Sequence, residues 1–146
     1  MAEQISNQIK TTRVSNAVAA GTSDIDSSSV DMRGYEGVRF TVLFGTITAA
    51  AVTSIKAARS TDDSAFNDLL GTAITVADDD DNKAFVLDVW RPGERYVRCT
   101  VDRATQNAVV DGIIAEQYGP RVLAPTNDAT TVGGQEVHAS PGEGTA

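Results

Sequence analysis

Hydrophobic side chains recur at every second position in two stretches of this chain. Val38, Phe40, Val42 and Phe44 share one parity against Arg39 and Thr41, and Val97, Cys99 and Val101 oppose Tyr96, Arg98 and Thr100. Successive side chains of a strand point to opposite faces, so this period predicts sheets with one buried and one wet face. The same reading along the chain predicts strands over residues 11–20, a short one at Val30 and Met32, then 38–44, 52–58, 72–76, 84–90, 95–101 and 107–118. In 84–90, Phe85, Leu87 and Val89 fall on one side. The last strand carries Val109, Val110, Ile113 and Ile114 on both faces, which predicts a central strand or a bulge near Gly112.

Turn chemistry separates these runs. Gly34 and Gly37 bracket a turn, and Arg91-Pro92-Gly93-Glu94 has the proline and glycine that a type II turn prefers. Residues 21–29 read as a Ser/Asp/Gly-rich turn. Residues 61–70 break the alternation and predict one or two helical turns or an irregular lobe. Asp78-Asp79-Asp80-Asp81-Asn82 reads as a hairpin loop kept solvated by its like charges. Beyond Gly119, three prolines and four glycines leave only 130–132 and 136–139 as possible short strands. The expectation is an all-β, antiparallel sandwich of about eight strands over residues 10–119. It is flanked by an N-terminal arm, 1–9, and a C-terminal arm, 120–146.

A chain of 146 residues supports one domain, burying roughly 68–70% of its extended-chain surface on folding. The single cysteine, Cys99, excludes an intramolecular disulfide and lies on the inward parity, as a buried, inert thiol would. No secretory pattern and no apolar run of about 18 residues occurs, so synthesis in the cytoplasm of the cell that makes it and no membrane partner are expected. Net charge of −8 and a pI near 4.5 argue against direct contact with nucleic acid. The charge is uneven. Residues 61–90 hold eight acidic groups against Lys83 alone, while 91–121 hold five arginines against four acidic groups. Such a molecule can pair with copies of itself or with a complementary surface.

The inventory for chemistry is thin. His138 is the sole histidine and lies in the C-terminal arm, so a serine or cysteine nucleophile lacks its usual base. One Cys and one His do not make a zinc site. The aspartate run offers oxygens to a hard cation but lacks the calcium-loop spacing, and reads first as a solvated turn. Paired carboxylates for glycoside hydrolysis stay open, with few aromatic residues to bind a sugar. No catalytic residue, cofactor or metal ligand is therefore assigned. The cluster nominated for a protein contact is Trp90 with Arg91 and Arg95, extended to Arg103 and Arg121. Trp90 could equally cap the end of the core.

Several strings resemble short structural proteins of tailed bacteriophages and prophages. They include Asp31-Met32-Arg33-Gly34-Tyr35-Glu36-Gly37, Asp88-Val89-Trp90-Arg91-Pro92, Arg95-Tyr96-Val97-Arg98, Asp102-Arg103-Ala104-Thr105-Gln106-Asn107-Ala108, Tyr118-Gly119-Pro120-Arg121 and Ser140-Pro141-Gly142-Glu143-Gly144-Thr145. What the resemblance implies is a non-enzymatic capsid cement, or head decoration, protein of jelly-roll type on the outside of the virion. Its expected partners are the major capsid protein and further copies of itself, as a dimer or trimer. The alternatives are another virion component (head-completion, tail or fibre-associated) or a carbohydrate-binding β-sandwich.

Overall fold

The computed structural model describes residues 4–146. Eleven strands are distributed over two antiparallel sheets. Sheet A contains β1 (Ile9–Ser15), β2 (Val18–Gly21), β5 (Gly37–Ile47), β9 (Ala84–Trp90) and β11 (Ala108–Tyr118). Sheet B contains β3 (Ile25–Asp26), β4 (Val30–Asp31), β6 (Val52–Ser60), β7 (Asn67–Asp68), β8 (Ile74–Val76) and β10 (Tyr96–Ala104). The order is β1/β2-β11-β5-β9 in one sheet and β3/β4-β10-β6-β7/β8 in the other. Three strand positions are each broken into two pieces. Counted by position there are eight strands among the described residues. Successive strands change sheet except β6 and β7/β8, which pair with each other, and the connectivity is that of a jelly roll.

The core lies between the sheets and follows the predicted parity. Val38, Phe40, Val42 and Phe44 of β5 are buried, as are Val97, Cys99 and Val101 of β10. The bulge expected near Gly112 is present: the register of β11 against β5 shifts between Val110 and Gly112. The extra residue lets Val110 and Ile113 both reach the interior, three apart on one strand.

Several expectations are corrected. β5 and β10 run three residues further than predicted, to Ile47 and Ala104. The segment 21–29 contains β3. Of the two alternatives for residues 61–70 the irregular lobe forms and the helical turns do not; Asp62 accepts N–H bonds from Ser64 and Ala65, closing a tight turn before β7. The acidic run is not a hairpin loop, because β8 and β9 belong to different sheets and it crosses between them. Neither short strand forms in the C-terminal arm, where Asp128 organises a turn by accepting from the N–H and hydroxyl of Thr130. Among the described residues, no helix is long and apolar enough to cross a membrane. Residues 1–3 of the expected N-terminal arm lie outside the described residues.

Candidate interaction surface

Three loops meet at one end of the sandwich. Met32 N–H donates to Arg95 O (2.7 Å), Arg91 N–H to Glu36 O (2.9 Å), Glu36 N–H to Tyr118 O (3.0 Å) and Arg121 N–H to Gly34 O (2.9 Å). These bonds bring Trp90, Arg91, Arg95 and Arg121 to that end. Trp90 sits on the outer face of sheet A, 57% exposed, so it does not cap the core. In register, Gly37 lies between Tyr118 and Trp90 on the neighbouring strands. With no side chain on Gly37, the Tyr118 ring crosses β5 and stacks on Trp90, at 6.1 Å between centroids and 16° between planes. A Cβ at Gly37 would collide with the tyrosine ring.

The charges here are partly paired. The Tyr118 hydroxyl donates to Asp88 at 2.5 Å, and burial together with that carboxylate pushes the phenol up to about 12. The Arg91 guanidinium lies 5.0 Å from the Trp90 centroid and its Nε donates to Glu36 at 3.0 Å. Arg95 grips Asp31 with both prongs, at 3.1 and 2.9 Å, which holds the Asp31 carboxyl below its ordinary value. Arg121 and Arg33 are exposed; Arg33 adds its charge to the field that Arg95 sets on Asp31. Sequence reasoning missed Tyr118 and Arg33. The signal for Tyr118 was available, since it shares the outward parity of Ile114 and Glu116.

Arg103 does not belong with this group. It is 5% exposed, and its guanidinium donates to Ser23 O (2.7 Å), Ala19 O (3.0 Å) and Ala108 O (2.7 Å). Three carbonyls, two from residues 19–23 and one from the start of β11, converge on one cation, and burial lowers its proton affinity without a carboxylate bonded to the fork. Arg103 is a clamp of the fold, buried where a surface contact was expected.

The acidic loop lies at the opposite end. Asp81 accepts from Ile47 N–H (2.6 Å) and Asp78 from Ala50 N–H (2.5 Å), while Asp80 takes Ala77 N–H and the Lys83 ammonium. The carboxylates therefore fasten the β5–β6 and β8–β9 loops together. Among the described residues, no cluster of acidic, His and Cys side chains is arranged to hold a metal ion. Cys99 is buried, and burial pushes its thiol up to about 12.

Both chain ends gather on the flank of β1. Asn127 Oδ1 accepts the Thr11 N–H at 2.8 Å, and Gln135 Nε2 donates to Ser6 O at 3.4 Å. Exposed apolar side chains stand on these arms: Ile5, Val122, Leu123 at 62% and Val137. His138 pairs with Glu136 on the same arm, exposed.

No protein-family model matches the chain, and no curated protein matches it. Among solved structures it is similar to a chain from the structure of infectious bursal disease virus, Gt strain. Sequence identity is 11% and the TM-score 0.45, with 81% of this chain and 34% of that one covered. The chain thus spans about a third of the length of the viral chain it matches.

Proposed function

We propose that this is a virion structural protein, a capsid cement protein that binds the outside of a phage head and ties neighbouring major capsid proteins together. The observation that carries the reading is the convergence of both arms on the β1 flank with their apolar side chains turned outward. An arm that leaves Leu123 and Val122 in water serves a surface not yet present. The jelly roll is the rigid body behind it, and the phage-like strings in the sequence agree with such a part. Residues 1–9 and 120–146 are the gripping arms around the 10–119 body. Trp90, Arg91, Arg95 and Arg121 form a second contact at the loop end. The partners are the major capsid protein and further copies of the chain, with the site of action the capsid exterior. A shell that offers many identical sites sums modest contacts into strong retention.

The test uses purified heads with and without the protein. Added protein should raise resistance to heat and osmotic shock, and the paired change Val122→Asp, Leu123→Asp should abolish binding while leaving the circular dichroism spectrum unchanged. Equal shell resistance with and without the protein overturns cementing. The exposed Trp90–Tyr118 stack is the feature that favours a carbohydrate-binding alternative. Glycan binding that disappears in Trp90→Ala would replace the proposal.

A further inference from the structure

The two edges of sheet A differ. The β1 edge is occupied at Thr11 by Asn127 of the C-terminal arm. The β9 edge is bare along its length: among the described residues, β9 pairs with β5 alone. Arg91 N–H reaches Glu36 O and Phe44 N–H reaches Lys83 O, so the odd-numbered residues face β5. An antiparallel ladder alternates, so Ala84, Val86, Asp88 and Trp90 direct their backbone N–H and C=O groups away from the sheet. Sheet B has only short edge pieces, two residues in β3, β4 and β7 and three in β8. β9 has seven residues, no proline and no inward-pointing charge. Natural edges of that kind are ordinarily blunted or covered. On its outer face Val86 is 46% exposed beside Leu43 at 38%.

Charge says what covers it. β9 begins just after Asp78–Asp81 and ends at Trp90 and Arg91. In any antiparallel pairing of this strand with itself, the acidic loop of each copy meets the Trp90–Arg91 end of the other. A parallel pairing would set like against like. We propose that a second copy of this chain docks edge to edge, β9 against β9, about a two-fold axis, joining two jelly-roll sheets into one continuous sheet.

The register follows from the same groups. Outward N–H groups sit on even positions, so even residues must pair with even ones. Centring the axis on Asp88 opposes two carboxylates, and centring it on Leu87 opposes Lys83 to the partner's Arg91; both are unfavourable. Centring it on Val86 sets Val86 against the partner's Val86 and brings Asp81 opposite the partner's Arg91. That register exchanges about six backbone hydrogen bonds over residues 84–88. This deepens the self-association in the proposed function and uses nothing else from it, since the purified chain suffices to test it.

Sedimentation of the purified protein should give a dimer. Val86→Lys should halve the apparent mass. Val86→Pro, which removes an outward N–H and none of the donors facing β5, should weaken association by about 100-fold or more, with an unchanged far-ultraviolet spectrum as control for folding. Under oxidation Val86→Cys should cross-link to itself, because a hydrogen-bonded pair on the axis stands about 5.5 Å apart between Cα atoms. Asp88→Cys should not, because it faces the partner's Ala84. A wild-type monomer overturns the proposal, as does a dimer untouched by Val86→Lys or a cross-link formed by Asp88→Cys and not by Val86→Cys. Loss of shell binding with the β9 dimer intact would count against the cement reading alone.

Discussion

Replacing Arg103 tests whether one cation ties residues 19–23 to the start of β11. Its fork satisfies Ser23 O, Ala19 O and Ala108 O at 2.7–3.0 Å from a site 5% exposed. Hydrogen bonds with a charged partner contribute about 1.5–3 kcal/mol each, and they are not additive when they share one donor group. In Arg103→Met the chain volume is largely kept and the three carbonyls lose their donors. Water recovers part of that loss near the surface, which leaves about 3–5 kcal/mol of destabilisation. Arg103→Lys keeps the charge but not the planar fork, reaches fewer carbonyls and should lose about 1.5–3 kcal/mol. At roughly 3 °C per kcal/mol for a chain of this size, melting should fall by about 10 °C or more for Met and about half that for Lys. Urea titration followed by circular dichroism gives the free energies. Both variants within about 0.5 kcal/mol of wild type would refute the clamp. A folded Arg103→Lys protein that fails to bind shells would return the residue to the contact surface.

Other outcomes are open to direct measurement. Cys99, buried and pushed up to about 12, should resist maleimide at pH 8 until urea unfolds the chain; labelling of the native protein at the unfolded rate would contradict its burial. Asp31, Asp62, Asp80 and Asp128 are held below the ordinary 3.8 by hydrogen bonds to the charged form. Their contribution is therefore full above that value and lost as pH falls through the folded values, so the melting temperature should drop below about pH 4. A flat profile from pH 5 to 2 would count against these bonds. Tyr118 has the opposite sign: its phenol rises from 10.0 to about 12, so stability present below pH 10 should decline as pH climbs through 12. Gly37→Ala should push the Tyr118 ring away and change the fluorescence of the sole tryptophan, Trp90, with under about 2 kcal/mol lost because the obstacle is a movable side-chain tip.

The sequence announced most of the sandwich where strands are long and half buried. β9 is delimited as predicted because turn residues flank it and Phe85, Leu87 and Val89 keep one parity over its whole length. β3 and β7 were illegible because two residues carry no period, and their pairing is decided by the neighbouring β10 and β6. Arg103 was misread from its residue type. Its position extends the inward series Val97, Cys99, Val101, and the parity should have outweighed the charge. Gln117 follows the same logic, buried after Ile113 and Ala115 with its amide on Asp31 O at 2.8 Å. Of the nominated surface, Trp90, Arg91, Arg95 and Arg121 do share one end of the fold. The outward apolar side chains of the arms, Val122 and Leu123 among them, were not legible, because a segment without periodicity gives no sign of which side chains stay outside.

The Asn127–Thr11 hydrogen bond has a consequence for how far assembly can proceed. A sheet open on both sides could recruit a neighbour left and right, and an unbounded ribbon would follow. Here the polypeptide's own tail takes the Thr11 donor in the middle of the β1 edge, so a neighbouring strand cannot complete its ladder there without displacing Asn127. The two sides of the sheet therefore differ in readiness to pair, and growth along the strand-stacking direction favours a pair over a fibre.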